Sequence, residues 1–198
     1  STFITGSNSY LLSGELMTKL TGRYVEFEMF PLSFAEYLGM KRHLGKEASD
    51  VHREFEDYLR FGGFPRSLAY DDPDAKARYI EDVVNQIIEK DIKGRKKIRH
   101  VDTFNRVINT FGAPTSLTNL VDYFTNVEKI RVQRRTIASY IQALVDAKVL
   151  YRCPRFDLKS RKSLRGEEKY YLADPGIYFA RNVDVRLNYG PSLENALY

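Results

Sequence analysis

The sequence predicts a mostly α-helical protein with small β elements, and three observations carry that reading. Apolar residues recur at three- and four-residue spacing over long stretches, as in Tyr79, Ile80, Val83, Val84, Ile87, Ile88 and Ile92. The strand-like stretches are short, as in Val149-Leu150-Tyr151-Arg152 and Lys169-Tyr170-Tyr171-Leu172. Between residues 102 and 174 three helical patterns precede those two strands, which is the order of a winged helix-turn-helix domain.

Taken in order, Phe3 to Ser9 reads as a strand end running into a polar loop, followed by Leu11, Leu12, Leu16 and Leu20 at helical spacing. Tyr24 to Phe30 alternates in polarity and predicts a second strand, ended by Pro31, which has no amide hydrogen for a ladder. Ser33-Phe34-Ala35-Glu36 fits a capping box, with a helix from about Phe34 to Met40 behind it. Val51 to Phe61 predicts a helix facing inward through Val51, Phe55, Tyr58 and Leu59, stopped by Gly62-Gly63 and Pro65. Asp71-Asp72-Pro73-Asp74 makes a turn and an N-cap for the long amphipathic helix that runs into the basic cluster Lys93 to His100. Phe104, Val107, Ile108 and Phe111 mark the next helix; Thr115-Ser116 caps another, with Leu117, Leu120, Val121 and Phe124 inward; and Val132, Ile137, Ile141, Leu144 and Val145 mark a third. A strand at 149–152, a basic loop over roughly 155–165, a strand at 169–172 and a turn at Asp174-Pro175-Gly176 complete the pattern.

Composition narrows the function. The 198 residues carry 31 Lys or Arg and 26 Asp or Glu, for a net charge of +5, and 43 % are hydrophobic, with no tryptophan. Disordered and collagen-like chains are excluded by that apolar content and by ordinary Gly and Pro usage. No apolar run approaches the ~20 residues that cross a bilayer, and the first residues lack a basic segment followed by a long apolar stretch, so neither a membrane partner nor a signal peptide is expected. Cys153 is the sole cysteine and cannot form an internal disulfide, which fits a reducing, cytoplasmic setting.

The charge is uneven. From Asp91 to Arg165 there are 17 Lys or Arg against 6 Asp or Glu, a surplus of 11, so the remainder is net negative by 6. Such a bias points to an anionic partner, nucleic acid first and an acidic protein surface second, against the plainer reading of a solvated basic face. Within it, Arg131, Gln133, Arg134 and Arg135 open the third helix, where side chains reach base edges or phosphates, and Lys159, Arg161, Lys162 and Arg165 populate the hairpin.

Other chemistries find less support. His43, His52 and His100 are not at ligand spacing, and Cys153 has no local activating partner. Gly39 to Lys46 misses a phosphate-binding loop by its glycine spacing and by Glu47 where Ser or Thr is needed. The pairs Glu26/Glu28 and Glu54/Asp57, and the Asp71, Asp72, Asp74 turn, read as solvated carboxylates.

Several segments together resemble one family. Ile4-Thr5-Gly6-Ser7-Asn8-Ser9, Leu20-Thr21-Gly22-Arg23-Tyr24 and Pro31-Leu32-Ser33-Phe34-Ala35-Glu36-Tyr37 are similar to the second half of the ATPase domain in prokaryotic AAA-type ATPases that carry a C-terminal domain of unknown function. Gly62-Gly63-Phe64-Pro65, Lys90-Asp91-Ile92, Thr136 to Ile141, Lys169 to Asp174 and Leu193-Glu194-Asn195 continue the resemblance in the same order.

The resemblance implies four regions: a remnant of an α/β ATPase core at 1–32, a helical lid at 33–100, the winged helix at 101–176, and the start of a nuclease-like domain at 177–198. It implies nucleotide sensing by Asn8, with Ser7 and Thr5 beside it, and by Arg23, whose guanidinium suits developing phosphate charge. ATP and Mg²⁺ are then cofactors of the intact parent, with none expected on these residues, because the phosphate-binding loop and the acidic Mg²⁺-binding strand of such ATPases lie upstream of Ser1. The parent is expected to be an ATPase and this stretch non-catalytic, with assembly through the ATPase core. The expected function is coupling of nucleotide state to DNA binding. The alternatives are a protein–protein interaction module and part of a nuclease-like protein in which Glu194 would act.

Overall fold

A computed structural model describes residues 22, 23, 25, 27–46, 50–94, 98–157, 162–182 and 189–197. As the sequence predicts, helices dominate and one small antiparallel sheet accompanies them. Among the described residues no helix is long and apolar enough to cross a membrane.

Helix α1 (Phe34–His43) starts at a complete capping box: Ser33 Oγ accepts from the Glu36 amide and Glu36 Oε2 accepts from the Ser33 amide at 2.8 Å. Asp50 caps α2 (Val51–Phe61), and Asp72 caps α3 (Pro73–Gln86), with Pro73 in the first turn where no amide hydrogen is needed. A short 3-10 turn, Pro65–Ala69, lies between these two helices.

Helix α3 continues without a break into a π-helical turn, Ile87–Lys93. Ile80, Val84, Ile88 and Ile92 are all buried at four-residue intervals, and four residues overshoot the 3.6 of an α-helix, so the buried stripe drifts around the axis. The wider π turn takes up that drift and keeps Ile92 inside.

Helix α4 (Val101–Asn109) and a 3-10 turn (Thr110–Gly112) lead to β1 (Thr115–Ser116), α5 (Leu117–Asn126) and α6 (Arg134–Asp146). Then follow β2 (Leu150–Asp157), β3 (Lys162–Leu172), α7 (Gly176–Arg181) and α8 (Tyr189–Leu197). The sheet order is β1-β3-β2, with Thr115 opposite Tyr170 and Leu150 opposite Leu172. The β2–β3 register shifts between Cys153 and Arg155, where Pro154 cannot donate to the ladder.

Four expectations are corrected. The Tyr24–Phe30 strand is not formed over 27–30, and Val25, Phe27 and Met29 are 77 %, 81 % and 86 % exposed; alternation makes a strand only where a neighbour supplies a ladder, and the sheet takes its strands from residues 115–172. The basic loop at 155–165 is replaced, in its described residues, by the continuing strands β2 and β3. Glu54 is buried rather than solvated, because Lys41 Nζ reaches both its oxygens at 2.7 and 2.6 Å and the Tyr37 hydroxyl donates to it. Val51, expected inward, is exposed.

The main core runs from Phe61 to Ile177 and centres on Phe104, Val107, Ile137 and Leu144, all fully enclosed. A smaller cluster of Tyr37, Tyr58 and Leu68 joins α1, α2 and the 3-10 turn, with Phe34 and Phe55 packed against it.

One carboxylate ties distant segments together. Asp174 is 1 % exposed, and its two oxygens accept from the Gly63 amide at 2.6 Å and the Gly176 amide at 2.8 Å. The turn at 62–63 must be glycine for this to happen. Gly62 has φ +73, and a Cβ there would sit 1.7 Å from Asp174 Oδ1; a Cβ on Gly63 would sit 2.1 Å from the Leu32 carbonyl. Asn195 of α8 makes a second tie, accepting from the Leu172 amide and donating to the Gly112 carbonyl at 3.2 Å.

Gly62→Ala is expected to destabilise the fold by about 3 kcal/mol or more, from the positive φ and the clash together, measurable by urea denaturation. Burial raises the Asp174 carboxyl from 3.8 to about 7, against the opposing pull of the Gly63 and Gly176 amides. The folded chain therefore holds a proton between those values that the unfolded chain has released. That contribution to stability is fully present below about pH 4 and is lost as pH rises through 7. Melting temperatures across this range should fall for the native chain more than for Asp174→Asn, which is less stable throughout because one amide donor loses its acceptor.

Candidate functional site

The basic surplus does not spread evenly over the surface. Arg106 pairs with Glu128, Lys148 with Glu28 at 2.7 Å, and Lys169 with Glu194 at 3.1 Å. Arg152 donates to Gln142 Oε1 at 2.6 Å and lies over the Tyr170 ring. By contrast Arg99, Arg131 and Arg135 form no ion pair or hydrogen bond with any described residue, and all three are exposed.

These three line one groove of about 880 Å³ between the N-terminal ends of α4 and α6. Arg99 and His100 come from the approach to α4, Arg131 and Gln133 from the segment before α6, and Arg135, Thr136 and Ser139 from the first turns of α6. Ile130, Val132 and the Tyr140 ring form its apolar wall, and no carboxylate is among its described lining residues. Tyr140 is 4 % exposed and stacks edge-on against Phe104, so the wall is anchored in the main core. Its hydroxyl accepts from the His100 amide at 3.3 Å, which holds the start of α4 against α6.

A second groove of about 640 Å³ lies on the other side of the first turn of α6, between α5 and the sheet. Ser116, Thr118, Asn119, Cys153, Arg155 and Lys169 are among its lining. Arg134, in the first turn of α6, donates to Thr118 Oγ1 at 3.3 Å.

Of the residues expected to contact DNA, Arg131, Gln133 and Arg135 share the first groove, whereas Arg134 is bonded to Thr118 of the second; all four are exposed. Lys162 and Arg165 fall on β3, whereas Lys159 and Arg161 lie outside the described residues. So do Thr5, Ser7 and Asn8. Arg23 is exposed and follows Gly22, which has φ +75. Lys46, from the rejected phosphate-loop pattern, is held by the Leu68 carbonyl at 2.7 Å and by Asp71 at 2.6 Å. Among the described residues, no cluster of three His, Cys, Asp or Glu could hold a metal.

Sequence reasoning missed Arg99 and His100. They belong to a basic run that also complements a helix C-terminus, and only the packing of the start of α4 against α6, where the His100 amide donates to the Tyr140 hydroxyl, brings them to the groove.

Comparison with known proteins adds two matched regions. Residues 52–185 match a family described as a domain of unknown function, DUF8612, and residues 1–38 match a AAA domain, which relates the chain to AAA-type ATPases. An uncharacterized protein of Haemophilus influenzae is 30 % identical over 199 residues, covering 98 % of this chain and 49 % of its own length. The uncharacterized protein MJ1544 of Methanocaldococcus jannaschii is 28 % identical over 206 residues, covering 99 % of this chain and 46 % of its own. The chain thus spans about half the length of the curated relatives it matches. No solved structure matches it.

Tyr140→Ala is expected to cost about 3–5 kcal/mol by leaving a cavity under the groove, whereas Tyr140→Phe, which removes only the acceptor for the His100 amide, should cost about 1 kcal/mol. Urea midpoints of the two variants separate the packing role from the hydrogen bond.

Proposed function

We propose, from the premise that this chain belongs to the DUF8612 family of domains of unknown function, that its residues 101–176 form a winged helix that binds DNA and that the AAA-matching segment couples this binding to nucleotide state. The observation that carries the reading is the convergence on one groove at the start of α6 of Arg99, Arg131 and Arg135, none of which pairs with a described residue.

The element order supports it. A helix, a two-residue strand, two more helices and two long strands, with sheet order β1-β3-β2, is the plan on which winged helices place the third helix against the major groove. In this reading Arg131, Gln133, Arg134 and Arg135 meet base edges and phosphates, and Lys159, Arg161, Lys162 and Arg165 extend the contact along the hairpin. Buried α6 residues, Ile137, Ile141 and Leu144, hold the helix so that its charged first turn faces outward.

On the AAA side, Asn8, Ser7, Thr5 and Arg23 would read the γ-phosphate state of ATP with Mg²⁺ in the intact parent. An arginine fork near developing phosphate charge is suited to that role, and Arg23 is free to reach a neighbouring subunit or nucleotide because it is exposed.

Duplex DNA should bind the chain with affinity that falls linearly on a log–log scale as salt rises. Changing Arg131, Arg134 and Arg135 together to Ala should weaken binding by about 100-fold, since each contact to a base or phosphate contributes on the order of 1 kcal/mol. Undiminished affinity in the triple variant, read by fluorescence anisotropy, would remove α6 as the recognition element; no salt-dependent DNA binding by the native chain would leave the protein–protein module instead.

A further inference from the structure

We propose that the groove between the N-termini of α4 and α6 is a phosphate seat, in which Arg99, Arg131 and Arg135 together hold a phosphate group of the bound polynucleotide. This rests on the DNA-binding reading and extends it to a second helix, because Arg99 and His100 belong to α4's end of the groove.

Charge balance is the first ground. Three guanidinium groups from three separate segments line one groove that has no carboxylate among its described lining residues, and none has a partner among the described residues. Like charges gathered in one concavity repel, and an anion between them reverses the sign of every one of those interactions. Asp102, in the first turn of α4, does not line the groove.

Donor supply is the second ground. Ser33, Asp50, Asp72 and Ser116 each cap their own helix with a side-chain oxygen. His100 and Gln133, at the start of α4 and α6, make no such bond; the Thr136 amide donates to the Gln133 carbonyl at 2.8 Å, and the other first-turn amides of the two helices have no side-chain cap. Tyr140 adds a donor from the protein interior: it is 4 % exposed, it lines the groove, and its hydroxyl proton has no acceptor among the described residues.

Shape decides the ligand class. A carboxylate offers two oxygens in one plane, whereas guanidinium groups approaching from α4, from the connecting segment and from α6 suit the several oxygens of a tetrahedral oxyanion. A groove of about 880 Å³ is larger than one phosphate and leaves room for the adjoining sugars. The second groove is different in kind, since its Lys169 is already paired with Glu194 and its Arg155 is already engaged.

The test uses the 198-residue chain, a short duplex with 5′-hydroxyl ends, and inorganic pyrophosphate. Arg99→Gln and Arg135→Gln should each flatten the slope of log Kobs against log salt by about 0.9, the change expected for one lost phosphate contact. Arg53→Gln, which alters an exposed cation paired with Asp50, should leave the slope unchanged. Pyrophosphate should shift the backbone amide NMR signals of Val101 and Arg135, and the two groove variants should abolish those shifts. Duplex binding with the native slope in both groove variants overturns the seat and leaves the DNA reading in place. Pyrophosphate shifts without any duplex binding keep the seat, for free phosphorylated compounds, and overturn the DNA reading. Silence from both probes overturns both.

Discussion

The structure depends on the carboxylate of Asp174. It reaches from the turn after β3 to the backbone of Gly63, 111 positions earlier in the chain, and turns back to the amide of Gly176. A buried carboxylate is costly unless its oxygens are satisfied, and here two amide donors at 2.6 and 2.8 Å do so. Its neighbours are constrained in turn. Gly62 and Gly63 leave room for it and for the Leu32 carbonyl, which accepts from the Tyr58 hydroxyl while the Leu32 amide donates to the Gly63 carbonyl. One side chain thereby fixes where α2 ends, where α7 starts and how the 27–32 segment enters.

How the protein distributes its cations follows from that frame. Around the smaller cluster, charges are paired: the buried Glu54 with Lys41, and Lys46 with the exposed Asp71. Lys76, also buried, is held over the Phe61 ring, and its burial pulls the ammonium pKa down. Breaking the buried Lys41–Glu54 pair would strand a charge, which is why such pairs persist although their net contribution to stability is small. Around the main core the pattern inverts. Apolar residues fill the interior, and the cations stand on the outside, where Arg99, Arg131 and Arg135 stay unpaired.

The helices were legible because their signals are local. Ser33 with Glu36, Asp72 with Pro73, and Ser116 each satisfy an orphan amide within three residues, so the cap can be read without knowing the fold. What could not be read depends on partners far away in sequence. Glu54 looks solvated until Lys41 is folded onto it, and Asp174 looks like a turn residue until Gly63 arrives. The two-residue strand at Thr115–Ser116 exists only because β3 passes beside it. The groove was half visible: Arg131, Gln133 and Arg135 are neighbours in sequence, but Arg99 comes to them only where the start of α4 packs against α6.

The segment just before α1, within the AAA-matching region, is held unequally along its length. At Leu32 it is bound by the Gly63 carbonyl and the Tyr58 hydroxyl, both beside the buried Asp174. Towards Glu28 it is held by an exposed ion pair with Lys148 and by the Phe30 ring against Tyr151 at 5.5 Å. Exposed pairs contribute about 0–1 kcal/mol and an aromatic pair about 0.5–1.5. The inner attachment must therefore outlast the outer one when the segment is pulled. Lys148 and Tyr151 bracket the junction of α6 with β2, and Arg152, the next residue, is bonded to Gln142 on α6. Release at Glu28 and Phe30 would therefore loosen the junction of α6 with β2 while the Leu32 anchor still held, at the end of α6 opposite to its arginine-bearing first turn.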